Sequence, residues 1–122
     1  MKTSGTRMVT ALMAAGVLAL ATAGRVQAAD EAAVKRGMEV YASATPKCSM
    51  CHSIEGKGNK KYPLDGVGSK LSAADIREWI VNPQVMIEKS KSTAKPAMKA
   101  YSKLPKADVD ALVAYMESLK KK

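Results

Sequence analysis

The chain has 122 residues, of which 47% are hydrophobic and 25% are charged. This composition predicts a folded protein, and the length leaves room for one domain. It excludes a nucleotide-binding α/β domain, a multi-disulfide scaffold and a polytopic membrane protein. Phenylalanine is absent, and the aromatic residues are one tryptophan and four tyrosines. Because so small a domain buries only about 60 to 65% of its unfolded surface, we expect a bound group to complete the apolar core.

The N-terminal region has the pattern of an export signal. Basic residues up to Arg7 precede an apolar run over residues 8–23, and Ala28 ends a small-x-small cleavage site. We therefore predict a signal peptide over residues 1–28, one domain over residues 29–122, and a periplasmic location. A retained membrane anchor is the alternative, but the run is mostly alanine, glycine and threonine, which favour insertion less than leucine does.

The net charge is +9 at pH 7. Without residues 1–28 the chain keeps 17 basic and 11 acidic residues, a net charge of +6. Such a surplus favours an acidic partner, although a solvated lysine surface would have the same composition. Since an exported chain without a nucleic-acid motif has little reason to bind DNA or RNA, we expect protein partners. Membrane contact is expected only through a membrane-bound partner or an uncleaved signal.

The first predicted element of the domain is a short amphipathic helix over residues 30–41. The Thr45-Pro46 pair ends it. Residues 53–70 contain four glycines and a proline without helical or strand periodicity, which predicts a loop. No segment alternates long enough to predict a strand.

The second half of the domain has clearer helix signals. Ser72 is suited to cap a helix that runs to about Val81, where an Asn-Pro pair closes it. Residues 84–88 predict a short helical turn, and the polar, basic residues 89–99 predict a loop. Residues 105–119 predict a strong helix with one apolar face. The chain is therefore expected to be all-α.

The chemistry is concentrated in Cys48-Ser49-Met50-Cys51-His52, which matches the Cys-x-x-Cys-His attachment sequence of c-type haem. Two thiols at this spacing can form thioethers to the two vinyl groups on one porphyrin edge, and the adjacent imidazole then lies beneath the iron. We predict one haem c attached through Cys48 and Cys51, with His52 as an iron ligand. The alternatives are a thioredoxin-like pair, which needs a βαβ scaffold, a zinc site, which needs four ligands, and a plain disulfide.

Over Ala29–Lys122 the chain resembles the class I c-type cytochromes, which are small soluble monohaem proteins. In that family the N-terminal helix crosses the C-terminal helix through a small residue and aromatic residues. The matching positions here are Gly37, Tyr41, Leu112 and Tyr115. The resemblance implies the all-α cytochrome c fold, with shorter helices and loops around one covalently bound haem. A tolerated glycine in a marginal helix is the alternative for Gly37.

Two further segments resemble parts of the family's haem pocket. Tyr62-Pro63-Leu64-Asp65-Gly66 resembles the Pro-x-Leu-x-Gly loop, with one residue missing between Pro63 and Leu64. The resemblance implies that the carbonyl of Pro63 accepts the hydrogen bond from the Nδ1-H of the proximal histidine. Trp79 lies in a Trp-Ile-x-Asn-Pro context that resembles the haem-packing helix, so it is expected to pack on the porphyrin. Simple burial in the core is the alternative for Trp79.

The second iron ligand cannot be a histidine of this chain, because His52 is the only one. A methionine thioether favours Fe(II) and raises the potential. The domain has five methionines: Met38, Met50, Met86, Met98 and Met116. Met98 resembles the axial methionine that precedes the last helix in the family, with Lys99 in place of the usual proline. Met86 is the second candidate, and lysine, water or an open site are further possibilities.

Lysines flank the predicted axial methionine at Lys89, Lys91, Lys95, Lys99 and Lys103. We expect them to ring the haem edge and to attract redox partners with acidic docking surfaces, although a solvated face is the alternative. Together with the export signal, the resemblance implies a periplasmic one-electron carrier that is not an enzyme and has no small-molecule substrate. The rival hypothesis is a haem-based sensor or haem enzyme subunit with an open or weak sixth ligand. A purely structural exported helical protein would leave the haem motif unexplained.

Overall fold

Helices form most of the protein in the computed structural model, which describes residues 23–122. The elements are α1 (Ala23–Ser43), a 3-10 turn (Cys48–Met50), β1 (His52–Ile54), β2 (Lys57–Gly58), β3 (Tyr62–Pro63), α2 (Val67–Lys70), α3 (Ala73–Val81), α4 (Pro83–Ser90) and α5 (Lys106–Ser118). The expectation of a mainly helical protein is thus confirmed.

Most of the predicted signal peptide, residues 1–22, lies outside the described part of the chain, so the signal stays a prediction. Between residues 23 and 122, no helix combines the length and the apolar character that crossing a membrane requires.

The first and last helices pack against each other through Gly37 of α1. A Cβ atom at Gly37 would lie 2.6 Å from the Cβ of Tyr115 and would also overlap the carbonyl oxygen of Ala111 in α5. Beside this contact the rings of Tyr41 and Tyr115 meet edge to face, with centroids 6.0 Å apart. The predicted role of Gly37, to let the two helices approach closely, is confirmed.

The apolar core joins the first, middle and last helices with the short strand β1. Its buried members are Val40, Ile54, Ile76, Ile80, Val109, Leu112, Val113 and Met116. The predicted apolar face of the last helix, α5, supplies half of these residues. An ion pair fixes one end of the α1–α5 interface, where the guanidinium of Arg36 lies 2.8 Å from the carboxylate of Asp108.

The middle helices begin where the sequence predicts. The backbone N–H of Asp75 donates to the Ser72 hydroxyl at 3.1 Å, which confirms the helix cap. Pro83 occupies the first position of α4, where its missing N–H leaves no helical bond unmade. However, α4 is longer than the predicted turn, because it buries Met86 and continues until Lys91 takes a left-handed conformation.

The prediction of a loop without strands over residues 53–70 is wrong in two places. First, β1 pairs antiparallel with β2 and parallel with β3, and the parallel pair places His52 opposite Tyr62. Strands of two or three residues show no sequence periodicity, so tertiary pairing alone reveals them.

The second departure is α2, a single helical turn packed on the end of α5. The backbone N–H of Gly68 donates to the carbonyl of Leu119 at 3.0 Å. A Cβ atom at Gly68 would lie 2.7 Å from the carbonyl oxygen of Met116 and closer still to that of Glu117. The glycine that suggested a loop is therefore required here for close packing of a helical turn.

Candidate functional site

A cavity of about 450 Å³ lies between the connection that follows α1, residues 62–71, helices α3 and α5, and the connection between α4 and α5. Much of its wall is aliphatic, including Leu64, Val67, Leu71, Ile76, Ile80 and Leu112. Its volume is within the usual range for a cofactor pocket, and such pockets combine apolar walls with a few placed polar groups.

The Cys-x-x-Cys-His segment forms one edge of this cavity. The 3-10 turn is closed by the Cys51 N–H, which donates to the Cys48 carbonyl at 3.1 Å. This turn brings both cysteines and His52 to the cavity wall. Both cysteines are partly buried and are not joined in a disulfide, and in the chain without haem burial raises the pKa of the Cys48 thiol. In the described chain, no group of three or more histidine, cysteine or acidic side chains is placed to hold a metal ion.

The hydrogen-bond partner of His52 differs from the one implied by the family resemblance. The Nδ1 of His52 lies 2.9 Å from the carbonyl oxygen of Tyr62, whereas the expected acceptor was the carbonyl of Pro63. The parallel register explains the correction, because it sets His52 opposite Tyr62 and Ser53 opposite Pro63. Pro63 is exposed and does not line the cavity. Since a carbonyl only accepts, Nδ1 carries the proton and Nε2 keeps a lone pair for a metal.

The two leading candidates for the methionine ligand differ in their position relative to the cavity. Met98 lines it, from the connection between α4 and α5. Met86 is only 4% exposed but is buried outside the cavity wall. Met50 and Met116 also line the cavity, but Met50 is in the attachment turn and Met116 is part of the α5 core. Met38 is exposed and outside the cavity.

Four aromatic residues complete the wall, and one of them is Tyr41 of the helix contact. Trp79 lines the cavity from α3, which brings it together with the cysteine motif as expected. Tyr62 and Tyr101 also line it, and the sequence reasoning assigned no role to either. The hydroxyl of Tyr101 donates to the carbonyl of Pro46 at 2.6 Å, and burial raises its pKa to about 12. The only sequence signal for Tyr101 was its distance of three residues from Met98.

The charged side chains on the cavity wall are those of Lys47 and Lys99. No carboxylate is among the lining residues of the described chain. The five lysines that flank Met98 are all exposed, although Lys89 is paired with Asp75 at 2.9 Å. Lys47 and Lys99 therefore make the lip of the cavity, the edge at which it opens to solvent, positively charged. In the predicted ring of lysines, the charge of Lys89 is neutralised by its ion pair with Asp75.

The family model for cytochrome c matches residues 34–120. The chain belongs to the cytochrome c family. Neither the curated proteins nor the solved structures include a significant match to it. The resemblance noted from the sequence is therefore confirmed, and so is the cytochrome c fold. The family carries out haem-based electron transfer.

The residues of this cytochrome fit the haem that its family binds. Two partly buried thiols lie at the attachment spacing, and the imidazole beside them has its Nδ1 proton already engaged. The cavity wall is mainly apolar, as a porphyrin face requires. The cofactor is haem c, covalently attached through Cys48 and Cys51.

Proposed function

We propose that this cytochrome c is a periplasmic one-electron carrier between redox proteins, with His52 and Met98 as the axial ligands of the haem iron. The observation that carries the proposal is that one apolar cavity is lined by both His52 and Met98, while Met86 lies outside it. Histidine and methionine are a recognised ligand pair of electron-transfer cytochromes.

When bound, the haem supplies a reversible one-electron couple at its iron. The chain's own groups then set the midpoint potential of this couple and the rearrangement that accompanies electron transfer. The Tyr62 carbonyl holds the proton on Nδ1 of His52 and so keeps Nε2 available as a ligand. The thioether of Met98 is neutral, and as an iron ligand it would favour Fe(II) and raise the midpoint potential. The aliphatic wall excludes water and limits solvent rearrangement when the charge changes.

The charges at the cavity favour an acidic protein partner. Lys47 and Lys99 lie on its wall, and residues 89–106 contain six lysines without an aspartate or glutamate. Positive charge at the electron-transfer edge raises the rate of encounter with a negative surface. Salt screens such attraction over about 8 Å at physiological ionic strength. The export pattern over residues 1–28 supports a periplasmic location, because covalent haem attachment occurs outside the cytoplasm.

The test is the spectrum of the unmodified protein. The ferric form is expected to show the weak near-infrared band of a thioether–Fe(III) bond, and the ferrous form is expected to bind carbon monoxide slowly. A protein without this band that binds carbon monoxide rapidly in its ferrous form would have an open or weak sixth position. The sensor or enzyme hypothesis would then replace the carrier.

A further inference from the structure

The segment that carries Met98 has little regular structure of its own. It connects α4 to α5, and within the described chain no hydrogen bond between backbone groups begins or ends at residues 93–100. A segment without a backbone ladder opens at low free-energy cost unless side chains hold it. The position of Met98 therefore depends on contacts that this segment makes with the rest of the protein.

At the N-terminal side of Met98, the side chain of Tyr62 holds the backbone of Lys95. The Tyr62 hydroxyl accepts from the Lys95 N–H at 3.0 Å and donates to the Lys95 carbonyl at 3.1 Å. The ammonium of Lys61 donates to the same carbonyl at 2.6 Å. Both backbone groups of Lys95, three residues before Met98, are thus bound to residues of the β3 region.

The same tyrosine also holds the proximal side of the site, because its backbone carbonyl accepts from His52 Nδ1 at 2.9 Å. We propose that Tyr62 is a positioning residue that couples the two axial sides: its carbonyl orients His52, and its hydroxyl holds the segment of Met98. This inference rests on the proposed role of Met98 as a ligand. Tyr62 acts through its neighbours and is not itself a ligand.

A separate pair of contacts fixes the C-terminal side of the segment. The N–H of Tyr101 donates to the Ile80 carbonyl at 2.8 Å, and its hydroxyl donates to the Pro46 carbonyl at 2.6 Å. Met98 therefore lies midway along the chain between two held positions: Lys95, which Tyr62 binds, and Tyr101. Loss of the Tyr62 hydroxyl should loosen the stretch before Met98 while Tyr101 still holds the stretch after it.

The experiment uses Tyr62→Phe in the holoprotein, because this change removes the hydroxyl and keeps both the ring and the carbonyl that binds His52. The readout is imidazole uptake by the ferric protein at saturating imidazole, where Met98 must leave before imidazole binds. We expect the uptake rate to rise roughly tenfold, the effect of one or two lost hydrogen bonds of ordinary strength. The Lys61 contact, which remains, keeps the effect from being larger.

The matched control is Tyr115→Phe, which removes a tyrosine hydroxyl from the α1–α5 interface, outside the cavity. It should take up imidazole at the parental rate. A parental rate in Tyr62→Phe would overturn the inference, and so would an equal acceleration in the control, which would indicate general loosening. A parent protein without the thioether–Fe(III) band would instead refute the ligand assignment, and the inference with it.

Amide hydrogen exchange in the unmodified protein tests the same contact should Tyr62→Phe fail to hold haem. The N–H of Lys95 is expected to exchange several-fold more slowly than those of Ala97 and Lys99, which no backbone partner protects. Equal exchange rates at these three positions would overturn the inference.

Discussion

The α1–α5 interface and the connection between α4 and α5 are held in place by different kinds of contact. At the interface, Gly37 lets two regular helices meet backbone to backbone, and the core spreads from that contact. The connection has no backbone ladder over residues 93–100 and relies on the side chains of Tyr62 and Tyr101. We therefore expect that substitutions can alter the helix scaffold, formed by the α1–α5 packing, without changing the contacts that position Met98, and the reverse.

Removal of the haem should have the largest effect, because it affects both regions. The double variant Cys48→Ala, Cys51→Ala leaves an apolar cavity of about 450 Å³ without its covalent cofactor. The remaining core is small, and ordering the chain costs roughly 1 to 2 kcal/mol per residue. We expect a largely unfolded chain by far-ultraviolet circular dichroism. Native helix content with a cooperative thermal melt would contradict this expectation.

A substitution in the scaffold should be the next most damaging change. Gly37→Ala places a Cβ atom 2.6 Å from that of Tyr115 and is expected to lower the free energy of unfolding by about 1 to 3 kcal/mol. The exposed control Ala42→Ser, in the same helix, should change it by less than about 0.5 kcal/mol. Denaturant titration of the holoproteins measures both. An equal loss in the two variants would show that the helix contact does not limit stability.

The scaffold follows from sequence patterns more fully than the short elements around the cavity do. The Ser72 cap, the apolar face of α5 and the contact of Gly37 depend on local patterns or on a helix pairing that the resemblance supplied, and the structure contains all three. The short strands and α2 were not predicted, because segments of two to four residues are too short to show a periodic pattern. Tertiary packing alone forms them.

The candidate site divides in the same way. The attachment motif, Met98 and Trp79 were found from sequence, and all of them line the cavity. The acceptor of the His52 hydrogen bond was placed one residue too late, at Pro63, because only the strand register shows that Tyr62 is opposite His52. The hydroxyl contact of Tyr62 with Lys95 joins residues 33 positions apart, which no local pattern indicates.

Charge reversal at the lip of the cavity should slow electron transfer more than charge reversal on the helix scaffold. Lys99→Glu and the exposed Lys35→Glu of α1 change the net charge equally, but only Lys99 lines the cavity. With an anionic iron–cyanide complex as electron acceptor at low ionic strength, Lys99→Glu should slow the reaction more than Lys35→Glu does, by about fourfold for each negative charge on the acceptor, from Coulomb's law in water at about 10 Å. Equal rates in the two variants would mean that the cavity lysines form only a solvated face.

The smallest expected effect is a pH dependence of the scaffold. Hydrogen bonds and charge from Lys106 and Arg77 hold the pKa of Asp110 below its usual range. Because this pKa is lower in the folded than in the unfolded state, the stabilisation is complete above the ordinary carboxyl range and is lost as the pH falls through the folded pKa. Asp110→Asn should therefore be less stable than the parent at pH 7, and the difference should shrink towards pH 3. A difference that grows in acid would contradict this assignment.

The most direct test of the central claim compares Met98→Leu with Met86→Leu. Leucine has a volume close to that of methionine but no sulfur, so packing is largely preserved in both variants. We expect Met98→Leu to lose the near-infrared thioether–Fe(III) band and to have a lower midpoint potential, because Fe(II) loses its thioether ligand. Met86→Leu should keep both properties of the parent. Loss of the band in Met86→Leu and its retention in Met98→Leu would contradict the account and assign the ligand to Met86.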